Sequence, residues 1–367
     1  MTDPRVENLA KILVHHSTKV QAGEVCVIEG PVAAEPLVRA VYEQVLEVGG
    51  NPVVNLDLDG SAATFFELAS DEQVSWVPPT AKWAAEESDV RIRLMASLNT
   101  RELSGVDPSR QTMRQKAMAP IMNTMMARAA AGEHRWALTI FPTNAYAAGA
   151  SMSLSAYEDF YYRACHADRP DPVDAWRAAS DETHRLRDWI EGREEVHITG
   201  PGTDIKLNVS GRTFIAADGK HNMPDGEFFT GPVEDSAEGE ITYHLPATYA
   251  GREVAGVRFR FEGGRVVDAS ADRGEEFLIG MLDTDEGARR LGELGIGTNF
   301  GITAGTGEIL LDEKIGGTVH LAIGKSYPDT GGVNDSAIHW DMICDLRRGG
   351  KITVDGELLQ EDGRFVV

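Results

Sequence analysis

Cysteine is scarce in this 367-residue sequence: Cys26, Cys165 and Cys344 are odd in number, far apart and set in apolar segments. That excludes a disulfide framework and a thiolate metal site, and it fits reduced thiols in a core. Positive charge is also short, with 35 lysines and arginines against 58 acids and a formal net charge of −23. Such a surface repels phosphate, so neither nucleic acid nor an anionic membrane is an expected partner. No apolar run approaches the roughly 18 residues of a membrane span. The opening MTDPRVENLAKILVHH carries charge where a signal peptide is apolar, so a cytoplasmic location is expected. Several motifs are missing too. The turn at EGPVAAEP lacks the G-x-G-x-x-G of a dinucleotide site, no G-x-x-x-x-G-K-[ST] occurs, and no serine sits in a nucleophile elbow. Neither an internal repeat nor a low-complexity segment is present.

What is there is a hydrophobic fraction of 42% and a charged fraction of 25%, the balance of a globular protein long enough for two domains. The first half alternates strand and helix patterns. VCVIEG, NPVVNLDLDG, DVRIRLMASL and HRWALTIFPT read as strands. They are separated by amphipathic stretches such as AAEPLVRAVYEQVLEVGG, whose Gly49 and Gly50 suit a helix end. Repeated units of this size predict a parallel sheet covered by helices. Beyond a helical stretch at 173–191 come short alternating strands with DG and GG turns, the signature of hairpins. We expect an α/β domain over residues 1–194 and an antiparallel-rich α+β domain over 195–367, the latter interrupted by one helix at 275–293.

Residues that can carry chemistry concentrate in the second half. HNMPDGEFFTGPVEDSAEGE surrounds Glu227, LGELGIGTN surrounds Glu293, and DEKIGGTVHLAIGKSYPDTGG surrounds His320. SAIHWDM holds His339 and Asp341. In a strand, residues two apart share a face, so His339 and Asp341 project together while Ile338, Trp340 and Met342 line the other side. In TVHLAIG, likewise, Thr318, His320 and Ala322 share a small-residue face. Taken singly, each residue also has a plain structural reading: a turn acid, a helix-end charge, a core histidine or a buried ion pair. Taken together, three carboxylates and two imidazoles suit a pair of divalent cations such as zinc, cobalt or manganese better than calcium or a structural zinc.

These segments resemble the thermophilic aminopeptidase T and aminopeptidase S family of two-metal exopeptidases. The resemblance extends to LAKILVHHSTKVQAGE, EPLVRAVYEQVLEVGGNPVV, FPTNAYAAGASMS and VDGELLQEDGRF. It implies a metal-binding C-terminal domain with Glu227, Glu293, His320, His339 and Asp341 as ligands of two divalent ions. It also implies a homodimer acting on peptides with a free N-terminus. Glu293 and Asp341 are the expected bridges, with Glu227 on one metal and both histidines on the other. Glu313 is the candidate proton acceptor and Tyr327, seven residues beyond His320, the candidate oxyanion donor. The two histidines are 19 positions apart, fewer than in the family, so the intervening loop SYPDTGGVNDS is short. The alternative from the same fold family is a ring-cleaving dioxygenase with one ferrous iron, acting on a dihydroxypyridine-type substrate. The retention of both Glu227 and Glu293 favours the hydrolase.

Overall fold

The computed structural model describes residues 3–249 and 251–367. The chain divides into two compact units, Met1–Arg177 with Gly219–Met223, and Ala178–Asp218 with Pro224–Val367. The division falls inside the helix Pro172–Ile190, not at the 194/195 position where strand patterning begins. The packing explains this. Trp176 donates its indole N–H to the Cys165 carbonyl of the first unit, whereas Leu186 and Ile190 are buried in the core of the second.

The first unit is built on a parallel sheet whose strands run in the order Asn51–Asp57, Val25–Pro31, Val90–Met95, Arg135–Ile140, Asn222–Met223. Every neighbouring pair is parallel, as the strand and helix alternation requires. Its last strand is two residues contributed from far along the chain, too short to show any periodicity. The helix Glu35–Glu47 stops where expected. Gly49 takes a φ of +81°, and the Gly49 and Gly50 amides turn back onto the Leu46 and Val45 carbonyls.

Two antiparallel sheets make up most of the second unit. An eight-stranded sheet runs from Arg265–Ser270 at one edge to Arg364–Phe365 at the other, with tight hairpins joining four of its seven neighbouring pairs. At Asp355 and Gly356, for example, both turn residues have positive φ, the conformation a two-residue hairpin demands. The five-stranded sheet has the order His339–Asp345, Thr318–Gly324, Leu291–Gly297, Glu227–Thr230, Ile215–Ala217. Phe228, Leu294, Ile296, Val319, Leu321, Ile323, Trp340 and Met342 are all buried in one core together with Val196, Ile198, Ile205 and Leu207 of the larger sheet. The parallel sheet of the first unit and the antiparallel sheets of the second are the fold class read from the sequence.

One element departs from expectation. The helix expected over 275–293 ends at Leu282, and Glu293 lies in the middle of a strand. The cause is local. The Asp285 carboxylate accepts from the Ala288 and Ala337 amides and from the Ser336 hydroxyl, which fixes a turn where helical continuation would leave those donors unpaired.

Candidate metal centre

Four adjacent strands of the five-stranded sheet bring the five sequence-predicted ligands together, and the register shows how. Glu293 pairs across to Ala322, and Ala322 pairs onward to Asp341. This puts the two carboxylates in one row with a methyl group between them. His320 pairs with Gly295, His339 with Gly324 and Glu227 with Gly297. The small partners leave the face open. A β-carbon added to Gly295 would sit 2.0 Å from the His320 ring, so the imidazole lies over a position that only glycine can fill.

Strict alternation would not deliver Glu293 to this face. Leu291, two residues earlier, is buried in the core, and the two would share a side in a regular strand. The register shifts between them, with Leu291 opposite Ile323 and Glu293 opposite Ala322, so Gly292 is the extra residue of a bulge. A bulge of this kind re-aims one side chain without breaking the sheet.

The geometry is tight. Glu293 Oε1 is 3.4 Å from His320 Nε2, and its Oε2 is 3.2 Å from His339 Nε2. His320 Nε2 lies 3.5 Å from Glu227 Oε2, and His339 Nε2 lies 3.4 Å from Asp341 Oδ1. One carboxylate therefore spans two clusters, His320 with Glu227 and His339 with Asp341. The two histidines thus face opposite oxygens of Glu293. Glu293, His339 and Asp341 offer ligand atoms all within 4.8 Å of one another.

Both imidazoles are oriented from behind. His339 Nδ1 donates to the Lys325 carbonyl at 2.7 Å and His320 Nδ1 to the Glu313 carbonyl at 3.1 Å. With Nδ1–H committed to a carbonyl, each Nε2 faces carboxylate oxygens and needs either a proton or a cation between them. Burial works against the charged imidazoles, but hydrogen bonding and the surrounding carboxylates outweigh it. His320 rises to about 10 and His339 to about 11. Burial also opposes the Glu293 charge, yet the two imidazoles hold its carboxyl below the ordinary value. Glu227 is pushed up to about 8 by burial, with Lys314 pulling the other way. Asp341 Oδ1 and Glu227 Oε2 are buried without a hydrogen-bond partner. Orphaned carboxylate oxygens beside unprotonated-ready Nε2 atoms are what a divalent cation would satisfy, so the donor set fits the ions the sequence implies.

The remaining predicted residues lie close by. Glu313 is partly buried, and its carboxylate pairs with the fully buried Lys314 ammonium. Burial pushes the Glu313 carboxyl up despite that lysine. The Tyr327 ring stands 5.0 Å from His339 and 5.7 Å from Phe229, centroid to centroid. Burial and the nearby carboxylates raise its phenol, so the hydroxyl keeps its proton. Sequence reasoning missed Lys314. It is 0% exposed, and its ammonium is 3.5 Å from Glu227 Oε1. Its signal is faint: a lone lysine between GEILLDE and IGG reads as a surface turn, because the helix Ile309–Asp312 is only four residues long.

A cavity of about 900 Å³ belongs to the first unit and is lined by residues such as Asp57, Phe65, Arg93 and Arg114. None of its described lining residues is a histidine or cysteine, and the titratable cluster lies elsewhere. The candidate centre is therefore the cluster on the five-stranded sheet.

Fold and site together define a two-unit α/β protein whose antiparallel sheet presents a histidine and carboxylate cluster suited to divalent cations. The family model described as thermophilic metalloprotease (M29) matches residues 2–365, and the chain belongs to that family. It is 29% identical to Aminopeptidase 2 of Geobacillus stearothermophilus, over 97% of this chain and 95% of the relative. Its fold is similar to that of wild-type AmpT from Thermus thermophilus, with a TM-score of 0.85 at 24% identity and 99% of each chain covered. A more distant likeness, with a TM-score of 0.56 at 14% identity, covers 99% of this chain and 97% of a 2,5-dihydroxypyridine dioxygenase from Pseudomonas putida.

Two predictions follow from the geometry. Gly295→Ala will displace the His320 ring and weaken metal binding by about tenfold or more, read by competition with a chromophoric chelator, while Gly263→Ala in a distant hairpin will not. Metal uptake by chelator-stripped protein at pH 8 will release protons, because imidazoles raised to about 10 and about 11 are charged there and must become neutral to ligate. The apparent affinity will fall as pH falls. The same raised values stabilise the stripped protein fully below about 6.5, and that contribution disappears as pH rises through 10 to 11. Calorimetric titration in buffers of different ionisation enthalpy measures the release; a buffer-independent enthalpy contradicts it.

Proposed function

We propose that the protein is a metallo-aminopeptidase that hydrolyses the N-terminal residue from peptides. Its catalytic domain is the second unit, expected from sequence as residues 195–367. The observation that carries this reading is Glu293, whose two oxygens face two separate histidine and carboxylate clusters. Glu227, Glu293 and His320 would hold one divalent ion, and Glu293, His339 and Asp341 the other. Two such ions, zinc, cobalt or manganese, would lower the pKa of a water and polarise the scissile carbonyl.

The chain's own residues supply the rest. Glu313 accepts the proton of the attacking water, a role suited to a carboxylate whose affinity for protons is raised by burial. Lys314 keeps that buried acid and Glu227 compensated, since neither could stay charged alone in so dry a place. Tyr327, held against His339 and Phe229 and protonated throughout the neutral range, donates a hydrogen bond to the oxyanion that develops on the substrate carbonyl. We also propose a cytoplasmic homodimer. Three buried free cysteines favour a reducing compartment, and the dimer is carried by the family resemblance. Among the described residues no helix is long and apolar enough to cross a membrane.

The dioxygenase reading has less support. A ferrous centre of two histidines and one carboxylate would leave Glu227 or Asp341 buried with an unpaired oxygen and no partner.

The test couples stoichiometry with activity. The loaded protein will carry two divalent ions per chain by elemental analysis and release amine from aminoacyl anilides. His339→Ala and Glu293→Gln will each lower that rate by more than about 100-fold, with the circular dichroism spectrum retained. One iron per chain with oxygen uptake, or full activity in either variant, refutes the assignment.

A further inference from the structure

The loop that carries Glu313 and Lys314 carries a second set of residues with no part in the chemistry so far. Glu308 and Ile309 line a cavity of about 340 Å³ together with Ala247, Tyr249 and Ile343, and His339 and Asp341 form another part of its wall. The cavity thus opens directly beside the metal cluster, past the edge strand His339–Asp345. Its volume is at the small end for ligand sites, room for one side chain and not for a stretch of peptide.

The chemistry of its walls is uneven. Ala247, Tyr249, Ile309 and Ile343 make it largely apolar, and Tyr249 is backed by the Trp340 ring at 5.4 Å. Three acids reach it, Glu308, Asp312 and Asp341, the last of them one of the metal-ligand candidates. Asp312 is already committed: its carboxylate accepts from the Thr306 amide at 2.7 Å, the Thr306 hydroxyl at 2.8 Å and the Gly307 amide at 2.8 Å. Those bonds brace the loop and hold Glu308, four residues earlier, at the cavity. With Asp312 committed to the loop and Asp341 to the metal cluster, Glu308 is the carboxylate left for a ligand, and apolar side chains beside a carboxylate match a side chain with an aliphatic stem and a cationic head.

We infer that this cavity receives the side chain of the substrate's N-terminal residue, and that Glu308 makes the enzyme prefer arginine and lysine there. The inference rests on the aminopeptidase reading and adds the substrate class to it. Glu308 acts on selection alone and is neither ligand nor proton acceptor. Methionine, with a similar stem and no charge, would fill the pocket and leave Glu308 without its cation. A carboxylate is also a better partner for the guanidinium, which it can meet with two parallel bonds, than for the ammonium, so arginine ranks above lysine.

The experiment compares arginyl, lysyl, methionyl, leucyl and alanyl p-nitroanilides on the metal-loaded enzyme. The wild type will show kcat/KM for arginine at least about tenfold above methionine, and Glu308→Gln will abolish that margin, mostly through KM, while methionine, leucine and alanine stay within about twofold. Ile309→Trp, at a position 42% exposed and therefore tolerant of a large side chain, will narrow the cavity and reduce all four long substrates against alanine. Calorimetric binding of L-arginine against L-methionine will follow the same order. Glu308→Gln lowering every substrate alike would mean that Glu308 holds the common α-amine, and the inference falls. An arginine preference unchanged in Glu308→Gln also overturns it while the aminopeptidase reading stands. A loaded enzyme that releases no N-terminal residue from any of the five overturns both.

Discussion

An excess of buried negative charge is the constraint around which the second unit is organised. Glu227, Glu293, Glu313 and Asp341 converge on one sheet face, and the only permanently charged cation among the described residues in contact with them is Lys314. Four carboxylates against one ammonium cannot stay ionised in a low-dielectric site; they must take up protons or borrow positive charge. The raised histidines show one solution, in which the imidazoles become the missing cations. Divalent ions are the other, and the two compete for the same Nε2 atoms. On the proposed reading the site would hold protons that metal binding displaces.

Holding such a cluster open requires a scaffold that does not yield. The antiparallel ladder supplies this, because four neighbouring strands fix the ligands at register positions. The opposite face is anchored by Leu294, Val319, Leu321, Trp340 and Met342 in a dry core. Two local irregularities adapt the regular lattice to the chemistry. The bulge at Gly292 turns Glu293 outward, and Gly295 cedes the space over which His320 lies. Neither residue carries a ligating group, yet the two decide where the Glu293 carboxylate and the His320 imidazole stand.

How much of this is legible in the sequence depends on the scale at which each feature is encoded. The H-x-D pair and the TVHLAIG strand announce their facing through period-two alternation, and both faces are as read. Tight hairpins were equally plain, because DG and GG write the turn conformation directly into residue type. Glu293 was harder. An apolar stretch with acids, EEFLIGMLDTDEGARRLGE, carries helical spacing well past the point where Asp285 ends the helix through contacts with Ser336 and Ala337, residues about fifty positions away. The bulge leaves no periodic trace, since it is a break in period. Lys314 was invisible for a related reason: its burial is decided by acids on other strands, and a lysine beside glycines looks like a turn. Where the unit boundary falls is likewise settled by which core Leu186 and Ile190 enter.

A shared fold does not choose the reaction. The likeness to a dihydroxypyridine dioxygenase shows that this backbone arrangement can be set beside very different chemistry, and at 14% identity it speaks of the fold alone. What separates the possibilities is the number of carboxylates the sheet delivers. Three ligands on a face can hold one ion with open positions for oxygen and substrate. On the reading proposed above, adding Glu227 from one side and dividing Glu293 between two histidines would make a second seat, and with it a place where a water could be activated between two charges. The same loop that closes over those seats with Lys314 also shapes the neighbouring cavity through Glu308 and Ile309. On the proposed reading, changes within a dozen residues, 305–316, would alter proton affinity at the centre and side-chain preference beside it while the sheet stays as it is.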